Sequence, residues 1–142
     1  MDPKAKEQIE KRLKEGWIHS WMMIEVLAVT EEAARSALEK HIQGMEREKK
    51  TMMVKKEFKD IRKIENPNVP PAYSYLVELE LLTEDFDTLV YLAMNYAPSS
   101  IEILSPEKIR MDAGEAQGII NSIADMMHKF ARSGVGGVVI RS

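Results

Sequence analysis

Between Trp17 and Leu104 the apolar residues switch period repeatedly, from alternation to helical spacing and back, in the order strand, helix, strand, strand, helix, strand. Alternation over Trp17–Val29 puts Ile18, Met22, Ile24, Val26 and Ala28 on one face, which predicts a strand with that face in the core. Thr30 then caps a crossover helix whose stripe is Ala34, Ala37, Leu38, His41, Ile42 and Met45. Thr51–Ile64 alternates loosely and carries charge on one side, as an edge strand does. After the turn residues Asn66, Pro67, Pro70 and Pro71, the run Tyr73–Leu82 reads as the clearest strand, with Tyr73, Tyr75, Val77, Leu79 and Leu81 on its core face. Thr83 opens a second helix through Phe86, Leu89, Val90, Ala93 and Met94, Pro98 ends it, and Ser100–Leu104 is a short fourth strand.

Right-handed crossovers fix how two such units share one sheet. The expected fold class is therefore α+β, a ferredoxin-like βαββαβ plait with an antiparallel sheet of order 4-1-3-2 and both crossover helices on one face. The chain reads as a single domain over residues 1–142, with the plait core at 17–104. A helix at 2–15 is added before it, with stripe Ala5, Ile9 and Leu13 and a stop at Gly16. A helix at 112–132 follows it, opened by Asp112 and Glu115 in capping-box spacing. The glycine-rich tail Gly134–Ile140 is expected to add a strand to a sheet edge.

Composition removes several chemistries. The chain has no cysteine, which excludes disulfides, thiolate metal sites and a cysteine nucleophile, and suits a reducing compartment. Its 20 basic and 23 acidic residues give a formal charge of -3, so no global field gathers nucleic acid. The charged start Met1–Lys14 lacks an apolar signal region, and no stretch approaches a membrane span; the expected location is cytoplasmic, with no membrane partner. Carboxylates stand at three helix starts (Glu31 and Glu32, Glu84 and Asp85, Asp112 and Glu115), which disfavours anion binding there. No G-x-S-x-G or H-E-x-x-H motif is present, His19, His41 and His128 are scattered, and no cofactor is expected.

The sheet face away from the crossover helices is the expected functional surface. His19, Trp21, Met23, Glu25, Leu27, Leu76, Glu78, Glu80 and Leu82 project there, with Glu102 from the fourth strand. Trp21, Met23, Leu27, Leu76 and Leu82 form an apolar patch that calls for a cover, either an added helix, a second subunit or a small ligand. Glu25, Glu78, Glu80 and Glu102 form a candidate carboxylate cluster for a divalent cation; against this, Lys55 and Lys59 on the edge strand balance Glu78 and Glu80 as cross-strand pairs. Tyr73 and Tyr75 resemble the third-strand aromatics of the RNA-recognition motif. Turning them outward would drive Glu78 and Glu80 into the core, so a nucleic-acid partner is not expected.

The run Tyr96-Ala-Pro-Ser-Ser-Ile-Glu-Ile-Leu-Ser-Pro106-Glu, with the segment before it and the helix after it, resembles the end of the ferredoxin-like C-terminal domain of WYL-type transcriptional regulators. The resemblance spans about a quarter of the chain and implies a plait with an effector-sensing role. Two further readings stand beside it. A non-enzymatic module that self-associates as a dimer is the leading one, with a protein or small ligand as further partner; a divalent-metal enzyme using the carboxylates is the other.

Overall fold

The computed structural model describes residues 2–133, in two compact units that divide between Lys108 and Ile109. The first unit runs α1 (Pro3–Lys14), β1 (Ile18–Ala28), α2 (Glu31–Glu46), β2 (Thr51–Phe58), β3 (Arg62–Asn66), β4 (Val69–Thr83), α3 (Phe86–Tyr96) and β5 (Ser100–Ser105). The second contributes α4 (Ala113–Arg132). Among the described residues the fold is mixed α+β, with four helices and a five-stranded antiparallel sheet. The tail expected to form a strand, Gly134–Ile140, lies outside the described residues.

The sheet departs from the expected four-strand order 4-1-3-2. It runs β2-β4-β1-β5, and β3 also pairs with β4. The reason is a break in what reads as one edge strand over 51–64. β4 is 15 residues long, so its C-terminal half, from Val77 to Thr83, pairs with β2, while Val69 to Ser74 pair with β3. Residues 59–61 step between the two partners, and a register shift between Met53 and Lys55 explains why alternation is loose there. The turn at Asn66 is the tip of the β3–β4 hairpin, where the Asn66 side-chain oxygen accepts from the Asn68 N–H at 3.0 Å. Pro70 and Pro71 lie within β4 rather than in a link. The strand tolerates them because β1 pairs only as far as Tyr73 and leaves that end an edge.

Alternation places the core as expected. Ile18, Met22 and Ile24 of β1 and Val77, Leu79 and Leu81 of β4 are buried on one face, under Ala34, Leu38, Ile42 and Met45 of α2 and Leu89 and Leu92 of α3. Tyr75 is buried on the same face, its ring 5.6 Å from that of Phe58. Each buried leucine or isoleucine is worth roughly 1.5–3 kcal/mol of transfer free energy. The hydroxyls of Ser20 and Thr83 are buried there without a hydrogen-bond partner.

Local signals set the helix ends. Thr30 Oγ1 accepts from the Ala33 N–H at 3.0 Å, as expected of an N-cap. The cap of α3 is Asp85 rather than Thr83; Thr83 is the last residue of β4 and fully buried, while Asp85 Oδ1 accepts from the Thr88 N–H at 2.8 Å. Asp112 caps α4, accepting from the Glu115 N–H at 2.8 Å. α1 closes in a Schellman arrangement, with Trp17 N–H donating to the Arg12 carbonyl at 3.0 Å and Gly16 N–H to the Leu13 carbonyl at 3.1 Å. Gly16 supplies the required positive φ of 92°.

Candidate functional site: the second sheet face

Register fixes which side chains share the face away from α2 and α3. Across β1 and β4, His19 lies opposite Leu82, Trp21 opposite Glu80, Met23 opposite Glu78, Glu25 opposite Leu76 and Leu27 opposite Ser74. β5 adds Glu102 opposite Trp21, and β2 adds Lys55 opposite Glu80 and Glu57 opposite Glu78.

This face is not uniformly open. Leu82, expected in the exposed apolar patch, is 0% exposed, and His19 beside it is buried. Helix α1 reaches β1 and β2 and buries Ile9, closing this end of the face. Of its stripe Ala5, Ile9 and Leu13, Ile9 is buried and the other two are half-buried. Trp21, Met23 and Leu76 are half-buried, whereas Leu27 at the far end is 63% exposed and Val29 just beyond β1 is 77% exposed.

The carboxylates are distributed among separate partners. His19 Nε2 lies 2.9 Å from Glu80 Oε1, and Lys55 Nζ lies 3.9 Å from the other Glu80 oxygen. Lys59 Nζ bridges Glu57 at 2.9 Å and Glu78 at 3.2 Å. All but Lys59–Glu57, which joins neighbours in one segment, are the cross-strand pairings that β-sheet geometry favours. The shared lysine has consequences for protonation. Glu57 raises the pKa of Lys59 by hydrogen bonding, with Glu78 adding to the effect, and Lys59 in turn lowers that of Glu57. The Ser74 hydroxyl donates to Glu25. Glu102 is exposed on the edge strand. Among the described residues no group of three or more His, Asp or Glu side chains is arranged to hold a metal ion. Glu25, Glu78, Glu80 and Glu102 share a face without being gathered at one point.

At the Glu25 end the sheet opens into a pocket of about 500 Å³, lined by Glu25, Lys59, Asp60, Arg62, Ser74 and Leu76. Asp60 and Arg62 enter it because the chain steps from β2 to β3 at this point. Sequence reading misses both: the only signal is the weakened alternation around residue 60, and that has meaning only once β4 is known to serve two partners. The His19–Glu80 contact is missed for a related reason, since the two residues are diagonal rather than opposite in the register.

A second polar cluster joins α2 to α3. His41 Nε2 lies 2.8 Å from the Tyr96 carbonyl oxygen, and the Tyr96 hydroxyl donates to Glu48 at 2.6 Å. Gly44 faces the Tyr96 ring. This cluster ties α3 to α2 and the segment after it, and its Glu48 also lines a shallow pocket with Lys50, Asp87 and Tyr91.

The family model that matches the sequence is that of the MJ0538 family, over residues 19–141. No curated protein and no solved structure matches the chain. The match spans the first strand, the rest of the sheet and α4.

Proposed function

The chain belongs to the MJ0538 family, and from the geometry above we propose that it is a non-enzymatic interaction module that self-associates as a dimer. The carrying observation is the contrast on the second sheet face: Glu78 and Glu80 are answered by the chain's own basic groups, while Leu27 stays 63% exposed beside half-buried Met23 and Leu76. Paired carboxylates make poor bases and metal ligands, whereas exposed apolar groups gain from a protein surface. The cytoplasm is the proposed location, which a chain without cysteine suits. Underlying the module we propose a ferredoxin-like plait with β3 inserted. Its support is that with β3 set aside the remaining strands, numbered afresh in chain order, run 4-1-3-2. Sedimentation velocity on the purified chain over a wide concentration range tests self-association: a dimer is expected, and a monomer throughout overturns the reading.

A second reading, effector sensing, has one specific support. The pocket at Glu25 offers carboxylates (Glu25, Asp60) and cations (Lys59, Arg62) around an apolar floor at Leu76, a set that fits a small zwitterion. A saturable thermal shift with a free amino acid or similar metabolite, abolished by Arg62→Ala, is expected on this reading. A broad metabolite panel producing no shift sinks it.

A further inference from the structure

Among the described residues, helix α4 carries an apolar face that is largely exposed. Ala113, Ala116, Ile120, Ile123, Met127 and Phe130 follow one another at alternating spacings of three and four, the a and d positions of a heptad. Their larger members are open: Ile120 is 60% exposed, Ile123 45%, Met127 50% and Phe130 43%. Most of the helix surface is exposed, Ile119 on the flank of the seam being buried, and what sets the seam apart is that its exposed side chains are large and apolar. A 20-residue helix is about 30 Å long, and helices in proteins draw most of their stability from packing an amphipathic face, so an apolar seam along all of it is a cost until something covers it.

We propose that the seam pairs with the same seam of a second copy, antiparallel, about a two-fold axis between Ile120 and Ile123. The inference rests on the self-associating reading above and names the surface that carries it. Self-complementarity selects the occupant. In the antiparallel arrangement an a position meets a d position, so Ile120 of one copy lies against Ile123 of the other, Met127 against Ala116 and Phe130 against Ala113. Every layer then combines either two medium side chains or one large and one small, the condition for filling a helix interface without voids or overlap. A parallel pairing instead stacks Ala113 on Ala113 and Phe130 on Phe130, leaving one end empty and crowding the other.

Charge selects the same orientation. Asp112 and Glu115 stand at the start of α4, and Lys129 and Arg132 in its last turn. Antiparallel pairing sets the acidic end of one helix beside the basic end of the other and opposes the two helix dipoles; parallel pairing sets like charge beside like.

The absence of cysteine from the chain makes the register directly readable. Ala116→Cys and Met127→Cys chains, each oxidised alone and then after mixing, are expected to give a cross-linked dimer only in the mixture. Ile120→Glu combined with Ile123→Glu is expected to weaken dimerisation at least tenfold in sedimentation, with the circular dichroism of the sheet unit retained. Cross-linking of Ala116→Cys alone points to a parallel helix pair and overturns the proposal. An undiminished dimer in the double glutamate variant, without the mixed cross-link, moves self-association to another surface such as that around Leu27 and overturns this inference only. A wild-type monomer overturns both, and a seam protected from hydrogen exchange in that monomer assigns its cover to the same chain.

Discussion

His19 Nε2 lies 2.9 Å from Glu80 Oε1, a diagonal contact across β1 and β4 in which both side chains are largely shielded from solvent. The carboxylate only accepts, so the ring nitrogen facing it carries the proton and donates. The pair stands at the boundary between the part of the second face that α1 closes and the part left open. It thereby joins the packing of the first helix to the charge ladder of the sheet.

Removing the acceptor is therefore expected to matter more than its surface position suggests. Glu80→Ala leaves a buried imidazole N–H unanswered and should cost about 1–3 kcal/mol in urea unfolding. Glu80→Gln keeps an acceptor and should cost less. A Glu80→Ala loss within about 0.5 kcal/mol, the range of ordinary surface changes, would show that the contact contributes nothing.

Asp85 caps α3 with two bonds, from the Thr88 N–H at 2.8 Å and the Thr88 hydroxyl at 2.6 Å, and faces Lys50 at 3.6 Å. Desolvation pushes its pKa up, but the Thr88 bonds and Lys50 together outweigh that and hold it below the usual value. A depressed carboxylate pKa stabilises the fold above the unfolded value of about 3.9 and loses that contribution as pH falls through the lower folded value. Asp85→Ala should lose about 1 kcal/mol at neutral pH. The difference from wild type should shrink in acid; a difference independent of pH between neutrality and acid would contradict the assignment.

Tyr96 is expected to ionise late. Burial first, and then its bond to the Glu48 carboxylate, raise its pKa above the usual phenol range. A raised pKa means that its contribution is complete below the unfolded value near 10 and is lost as pH rises through the folded one. Ultraviolet titration of the four tyrosines should show one lagging, and Tyr96→Phe should remove that phase. Four phenols titrating together would refute this.

Two glycines occupy helix interiors without a conformational need. A Cβ at Gly44 would meet the Tyr96 hydroxyl oxygen at 3.6 Å, an ordinary contact, and one at Gly118 would meet nothing within 4 Å. Gly44→Ala and Gly118→Ala should each stabilise by up to about 1 kcal/mol, read as a rise in Tm. Gly118 lies off the heptad seam, so its variant should leave oligomeric mass unchanged; a fall in stability at either site would mean that a close approach has been missed.

Much of the architecture was legible in the residues because it depends on local periodicity. The buried faces of β1 and β4, the stripe Ala34, Leu38, Ile42 and Met45, the Thr30 and Asp112 caps and the stop at Gly16 all follow from side-chain spacing and backbone preference. That Lys55 and Lys59 balance Glu78 and Glu80 was also legible, because alternation puts the two lysines on one face; which lysine meets which glutamate was not. Leu82 shows where legibility stops. Its parity is correct and its exposure is not: it is fully buried at the end of the sheet where α1, far away in the sequence, packs against the flanking strands β1 and β2.

The sequence by itself determined which residues face together, since periods of two and of 3.6 are properties of a chain segment and need no partner. Only the tertiary structure decided what each face meets: that 51–64 divides into two strands because β4 is long enough to serve both, that Leu82 is buried while Leu27 is left open, and that His19 reaches Glu80 diagonally. Those outcomes depend on contacts between residues distant in sequence. Loop closure, register and competing packing set their free energies, and no local pattern encodes them.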